Sequence, residues 1–122
     1  MTTPARTAAE TYRESVNKKD LNLLRTIFAE DVELYVPTMA LELKNPDGHF
    51  TGIDEAMDFF AATSFPAQAI LTYTHVYESG NSCVVELEGL LPEGNTVEAL
   101  DIFTTGEDGL VTRMAVYARI AS

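Results

Sequence analysis

The apolar residues in the first half of the chain recur with a helical period. Thr3 followed by Pro4 is typical of a helix N-cap and first turn, and the pattern predicts a first helix over about residues 4–17. After the break at "NKKD", Asp20 can cap a second helix, and "GIDEAMDFF" opens a third. The apolar positions are Ala5, Ala8, Ala9, Tyr12 and Val16 in the first helix, Leu21, Leu24, Ile27 and Phe28 in the second, and Ile53, Met57 and Phe60 in the third.

Most of the other segments have the pattern of strands. "VELYVP" at 32–37 alternates apolar and polar residues and predicts a short strand, which Pro37 ends. Residues 38–52 hold a proline and two glycines and are expected to be irregular. Four longer strands then follow, in "AILTYTHVY", "CVVELEGLL", "TVEALDIFTT" and "LVTRMAVYARI", joined by turns at "GN", "PEGN" and "GEDG".

This order of elements predicts an α+β fold. Helices concentrated at the front and an antiparallel meander behind favour a curved, mostly antiparallel sheet wrapped around the N-terminal helices. Such a sheet can leave an internal pocket. The length of 122 residues predicts a single domain over 1–122.

Charge and composition narrow the classes of partner. The net charge of −11 predicts that the protein does not bind nucleic acid or an anionic membrane surface. The absence of a long apolar run predicts a cytoplasmic protein. The single cysteine, Cys83, allows no internal disulfide and is expected to be a buried apolar residue. The two histidines, His49 and His75, lie far apart in sequence, so neither a metal nor a cofactor is expected.

Asp101 lies in the middle of a predicted strand, between Leu100 and Ile102. Neither face of this strand is polar throughout, so the carboxyl group is expected to have apolar neighbours on either side. A hairpin closed at "GEDG" would place Arg113 opposite Asp101, and an ion pair between these two strands is the simplest structural interpretation.

The order of elements and several local phrases resemble the NTF2-like superfamily, also called the SnoaL-like or cystatin-like α+β cone fold. These phrases are "YRESVNKKDLNLLRTIFAEDVELYVP", "GIDEAMDFF", "ALDIF" and "DGLVTRMAVY". Within the superfamily the chain looks most like the steroid Δ5-3-ketoisomerases. The resemblance implies an internal pocket for a small hydrophobic ligand, no cofactor and a homodimer formed through the sheet. The fold also carries cyclases, dehydratases, epoxide hydrolases and proteins without catalytic activity.

The resemblance assigns roles to individual residues. In the isomerases a tyrosine on the first helix, placed as Tyr12 is here, donates a hydrogen bond to the substrate oxyanion. A protonated aspartic acid in the context D-x-F, as Asp101 and Phe103 stand here, donates a second. The general base of the family is an aspartate directly before the proline that ends the first strand, and this chain has Val36 there, before Pro37.

A second departure concerns Arg113, because the matching position in the isomerases looks apolar. A cation beside Asp101 would lower the pKa of this carboxyl group and favour a general base over a hydrogen-bond donor. This alternative is similar to the limonene-epoxide-hydrolase branch of the superfamily. In that branch, however, the arginine lies two residues before the aspartate, where this chain has Ala99. Its first-strand tyrosine and asparagine correspond to Leu34 and Val36.

The sequence therefore predicts a candidate site with Tyr12 and Asp101 as catalytic residues. The expected function is cofactor-free proton transfer or enolate stabilisation on a hydrophobic carbonyl or polycyclic substrate. The alternatives are a non-catalytic module that binds a ligand or dimerises, and an epoxide hydrolase that uses Asp101 and Arg113. His75 is expected to be structural, although it could also replace the base. The predicted substrate-binding residues are Val36, Phe60, Phe103, Arg113 and Tyr117, and further replacements for the missing base are His49, Glu42 and Asp47 in the irregular segment.

Overall fold

The computed structural model describes residues 2–37 and 47–121, and the side chains as far as residue 119. Four helices and six strands occur in this part of the chain. The helices are α1 (Pro4–Lys18), α2 (Leu21–Arg25), α3 (Ile53–Ala62) and α4 (Ser64–Ala67). The strands are β1 (Phe28–Tyr35), β2 (His49–Thr51), β3 (Ile70–Ser79), β4 (Ser82–Leu90), β5 (Thr96–Thr105) and β6 (Val111–Ala121).

Both predicted helix caps are present. The hydroxyl group of Thr3 accepts a hydrogen bond from the backbone N–H of Arg6 at 3.2 Å. The carboxylate of Asp20 accepts one from the N–H of Leu23 at 3.0 Å. Each cap satisfies a backbone donor at its helix start that has no partner inside the helix.

The predicted second helix was too long, because it included Phe28. The helix ends at Arg25, and Phe28 begins β1. The carbonyl of Ile27 accepts a hydrogen bond from the N–H of Val111 at 2.7 Å, and Phe28 is paired with Val111 on β6. Pairing with a strand that is distant in sequence has therefore overridden the local helical pattern.

The six described strands form one open, curved sheet in the order β2-β1-β6-β5-β4-β3. The β1–β6 pair is parallel and the other four pairs are antiparallel, so the predicted α+β fold with a mostly antiparallel sheet is confirmed. Two elements were not predicted. The strand β2 lies in the segment expected to be irregular and pairs with β1, and the short helix α4 follows α3.

Polar contacts fix α1 across the free edge of β3. The side-chain amide of Asn17 donates to the carbonyl of Leu71 at 3.1 Å and accepts from its N–H at 2.7 Å. The hydroxyl of Tyr73 donates to the carbonyl of Ala9. These bonds join both halves of the helix to β3, and they direct its apolar face, including Tyr12, towards the concave side of the sheet.

The predicted register of the β5–β6 hairpin was wrong. Val116, not Arg113, is paired with Asp101, and Arg113 is paired with Thr104. A bulge between Thr104 and Thr105 adds a residue to β6, and this bulge reverses the alternation of side chains relative to a regular hairpin. Arg113 is exposed, so the predicted ion pair with Asp101 does not form.

The positive φ of Gly48 generates a stability prediction. A Cβ atom at this position would lie 2.5 Å from the carbonyl oxygen of Val36, whereas Gly80 has a similar φ of +59° with no atom within 4 Å. We expect Gly80→Ala to lower the free energy of unfolding by about 1–2 kcal/mol through backbone strain alone. Gly48→Ala should lower the free energy of unfolding by at least about 1 kcal/mol more than Gly80→Ala does, because the added Cβ atom overpacks its site. Urea unfolding of both variants measures the difference, and equal losses would contradict the predicted clash.

Candidate functional site

A cavity of about 410 Å³ lies between the concave side of the sheet and the helices α1, α3 and α4. Most of the residues that line it are apolar. Its polar side chains, among the described residues, are those of Tyr12, Thr63, Ser64 and Asp101. The cavity therefore has the composition usual for a small-molecule site, with few polar groups in an apolar wall.

Asp101 contributes the only carboxyl group to this described lining. Asp101 is 1% exposed and lies between Val85 on β4 and Val116 on β6, both of which are buried. Its Oδ1 atom has no hydrogen-bond partner. Burial raises the pKa of Asp101 from its ordinary value of 3.8 to about 7, because the charged form is poorly solvated there. Both protonation states are consequently accessible near neutral pH.

Tyr12 reaches the same cavity from α1 and is 5% exposed. Its ring makes edge contacts with Phe60, at 5.6 Å between centroids, and with Phe103, at 5.5 Å. Burial, and then the charge of Asp101, raise the pKa of Tyr12 well above its usual range, and a hydrogen bond with Ser64 opposes this shift. The hydroxyl group therefore stays protonated and can donate a hydrogen bond into the cavity.

Tyr12 and Asp101 line the same cavity, and the charge of Asp101 contributes to the raised pKa of Tyr12. The tyrosine supplies a neutral O–H donor, and the aspartic acid supplies a second one in its protonated form. Hydrogen-bond donors in a largely apolar cavity stabilise a negatively charged oxygen more strongly than they would in water. No lysine, arginine or histidine is found among the described residues that line the cavity.

The predicted substrate-binding residues are divided between the two sides of the sheet. Phe60 lines the cavity, and Phe103 packs behind the ring of Tyr12. Val36 is fully buried but lies outside the described lining. Arg113 and Tyr117 lie on the outer face, because their strand parity is opposite to that of Val116. The structure therefore does not bring these two residues to the cavity.

The loss of the Asp101–Arg113 pair removes the geometric basis of the epoxide hydrolase alternative. In that alternative Arg113 would hold Asp101 ionised, but its side chain is exposed beside β1 and Thr104 instead. Among the described residues no cation lowers the pKa of Asp101, and burial raises it.

The predicted replacements for the missing base do not line the cavity where the structure describes them. His75 is exposed, with its Nδ1 atom 3.5 Å from Oε2 of Glu86. His49 lies on β2, and its Nε2 atom is 3.2 Å from Oε1 of Glu33. Asp47 is exposed, and Glu42 lies outside the described residues.

Sequence reasoning missed the part of the cavity wall around the α3–α4 junction. Thr63 and Ser64 line the cavity there, and no periodic pattern marks α4. Gly89 did carry a signal, because an interior glycine in a strand often marks a close approach. A Cβ atom on Gly89 would lie 3.3 Å from the side chain of Leu71 on β3.

Other chemical features of the described residues are few. Cys83 is a buried free thiol, as expected. No group of three or more histidine, cysteine, aspartate or glutamate side chains in the described ranges could hold a metal ion. Within the same ranges no helix is both long and apolar enough to span a bilayer.

The SnoaL-like domain family matches residues 9–114 of the chain. No curated protein matches this chain. Among solved structures, the RV0760c protein of Mycobacterium tuberculosis in complex with estradiol-17beta-hemisuccinate is similar over 99% of this chain and 100% of its own, with a TM-score of 0.80 and 19% identity.

Two further structures have similar folds. A computationally designed 17-OHP binder matches 100% of this chain and 99% of its own, with a TM-score of 0.80 and 17% identity. The Delta 5-3-ketosteroid isomerase from Mycobacterium sp. matches over 98% of this chain and 100% of its own, with a TM-score of 0.76 and 17% identity. At these identities the likeness concerns the fold, and it confirms the predicted NTF2-like architecture.

The raised pKa of Asp101 predicts how pH affects stability. The unfolded chain ionises this group near pH 3.8, whereas the folded protein holds its proton up to about pH 7. The stability due to the protonated acid is therefore complete below pH 3.8 and is lost as the pH rises through 7. Relative to Asp101→Asn, the free energy of unfolding of the wild type should fall by about 4 kcal/mol over this interval.

Urea unfolding of the wild type and of Asp101→Asn at several pH values measures this difference. Asp58→Asn is the matched control, because it removes an exposed carboxyl group on α3. A difference for Asp101→Asn that does not vary with pH, or that varies only as much as the control, would contradict a buried carboxyl group with a raised pKa.

Proposed function

Because the chain belongs to the SnoaL-like domain family, we propose that it is a cofactor-free enzyme of the ketosteroid isomerase-like type, which stabilises the enolate of a small hydrophobic carbonyl compound. One observation carries the proposal. The buried carboxyl group of Asp101, with Oδ1 unpaired, shares an apolar cavity with the hydroxyl of Tyr12.

Tyr12 and protonated Asp101 would each donate a hydrogen bond to the carbonyl oxygen of the substrate. When a proton leaves the carbon next to the carbonyl, negative charge develops on this oxygen, and both hydrogen bonds become stronger. The enolate can then accept a proton at another carbon, which shifts the double bond. Such donors are typically worth about 3 kcal/mol of barrier lowering each.

The same proposal implies slow turnover. The position of the family's general base is occupied by Val36, and the described cavity lining offers no second carboxylate. Loss of a general base costs about 10²- to 10⁴-fold in rate, so the proton would leave to water. Enolate stabilisation by Tyr12 and Asp101 would supply most of the remaining catalysis.

The ligand class is supported by the cavity and by the related folds. A volume of about 410 Å³ and a largely apolar wall suit a small hydrophobic molecule. Among proteins of similar fold, one is in complex with estradiol-17beta-hemisuccinate and another is a 17-OHP binder. We therefore propose a polycyclic or carbonyl-bearing ligand for this chain.

A second candidate function is a non-catalytic module that binds such a ligand. The observation that favours it is the single carboxyl group in the described lining, because proton transfer between two carbon atoms usually requires a separate base. Both candidates predict binding, and only the first predicts turnover.

A cytoplasmic location stays a prediction of the sequence.

The outer face of the sheet supports a homodimer as part of the proposal. This face presents several large apolar side chains, with exposures of 53% for Tyr77 and Leu90, 48% for Ile70 and 40% for Tyr117. Ile70 and Tyr77 share the face because the strand irregularity between Tyr73 and His75 pairs both with even-numbered positions of β4. A second copy packed on this face would remove these side chains from water.

Binding of a phenolic steroid tests the paired donors. Equilenin carries a phenol that mimics an enolate, and its fluorescence reports binding. We expect Tyr12→Phe to weaken binding by about 10- to 100-fold, which corresponds to one hydrogen bond to a charged group. Affinity should also fall as the pH rises through 7, because ionised Asp101 loses its donor and repels the phenolate. Arg113→Met, on the outer face, is the control and should bind as the wild type does.

Turnover separates the two candidate functions in the same experiment. Isomerisation of 5-androstene-3,17-dione by the wild type should exceed the rate in buffer, and Asp101→Asn should remove most of the excess. Equilenin binding without any such turnover would support the binding module. Two results would refute the donor pair. One is equilenin binding that does not depend on pH, and the other is an equal loss of equilenin affinity in Arg113→Met and Tyr12→Phe.

The dimer generates its own prediction. Tyr117→Arg places a charge on the outer face, so it should shift the protein to monomer at a concentration where the wild type is a dimer. Leu21→Arg changes a similarly exposed apolar residue on α2, outside the sheet, and should leave the dimer intact. Sedimentation equilibrium measures both, and a monomeric wild type would contradict the proposal.

A further inference from the structure

The carboxyl group of Asp101 is buried, and one of its two oxygens, Oδ1, has no hydrogen-bond partner. Its neighbours across the sheet are Val85 and Val116, and its Oδ1 atom accepts no hydrogen bond. A buried polar atom without a partner is costly, so a ligand that supplies one gains affinity. The protonated acid suits a ligand oxygen, whereas the carboxylate suits a ligand cation.

The surroundings of the carboxylate favour a cation with an apolar body. The described cavity lining includes no basic side chain that could already neutralise Asp101. The aromatic residues Tyr12, Phe59 and Phe60 line the same cavity, and aromatic faces attract cations. The net charge of −11 also raises the local concentration of cationic ligands.

We propose that the cavity also binds hydrophobic amines, whose ammonium group pairs with the carboxylate of Asp101 while their apolar body fills the cavity. The inference shares with the proposed function only the requirement that the cavity admits a ligand. It needs neither turnover nor a protonated Asp101.

Binding of an amine is coupled to ionisation of Asp101. Among the described residues, the titratable groups that face the side of the sheet on which Asp101 lies are the hydroxyls of Tyr12 and Tyr73 and the thiol of Cys83, while β6 presents Val116 and α4 presents Ser64. The other charged side chains of β4 and β6, such as Glu86, Glu88 and Arg113, have the opposite strand parity. The pKa values of Tyr12, Tyr73 and Cys83 are all raised, first of all by burial, so these groups stay neutral at pH 7. Within the described lining of the cavity, Asp101 is then the group that ionises near neutrality.

A matched pair of cage compounds tests the inference. 1-Adamantylamine and 1-adamantanol have the same apolar body and differ in the charge of one polar group. The amine stays protonated, as a lysine side chain does, at pH values near 5.5 and 8.5. Calorimetric titration of the wild type should show amine affinity rising by about tenfold or more between these pH values, since Asp101 ionises in this interval, whereas the affinity for the alcohol should not rise.

Two variants locate the effect. Asp101→Asn should reduce the affinity for the amine near pH 8.5 to about the affinity for the alcohol. If this variant still binds the alcohol, its cavity is intact. Glu88→Gln also removes one negative charge, but from an exposed position on β4, and should behave as the wild type does. It therefore separates local pairing from long-range attraction.

Three results would overturn the inference: no amine binding by the wild type, the same pH dependence for both compounds, or an equal loss of amine affinity in Asp101→Asn and Glu88→Gln. The equilenin experiment is independent. Phenol binding without amine binding would leave the proposed function standing, and amine binding without phenol binding would leave only the present inference.

Discussion

The hydrogen bonds between α1 and β3 are the constraint on which the site depends. Asn17 pairs with both backbone groups of Leu71 as a neighbouring strand would, and Tyr73 donates to the carbonyl of Ala9. An exposed strand edge is open to pairing with other chains, and here part of that edge is occupied by the protein's own helix. Because the helix is held there, its apolar face covers the concave side of the sheet and Tyr12 meets the cavity.

The cavity leaves one carboxyl group in an environment that does not solvate its charge. Burial raises the pKa of Asp101 to about 7, and its neighbours Val85 and Val116 supply no hydrogen bond to Oδ1. A buried polar atom in this state costs folding free energy, which the apolar core around it must offset. Such a cost is common at functional sites, where ligand binding rather than folding supplies the missing partner.

A carboxyl group with a pKa near neutrality has two chemistries. In its protonated form it donates to an oxygen and, with Tyr12, resembles an oxyanion-binding pair. In its ionised form it accepts from a cation. Under the two proposals above, each ligand class would bind only one of these forms, so the ligand would select between them. Among the described residues that line the cavity, Asp101 is the one carboxyl group, and its pKa lies near neutrality.

The sequence by itself determined the features that depend on neighbouring residues. The caps at Thr3 and Asp20, most of the long elements and the apolar neighbourhood of Asp101 follow from local periodicity and side-chain chemistry. Tertiary structure decided the position of Arg113, the start of β1 at Phe28, the strand β2 and the helix α4. These depend on pairing between distant segments, and the bulge at Thr104 shifts the register of β6 against β5, so that Val116 rather than Arg113 is paired with Asp101.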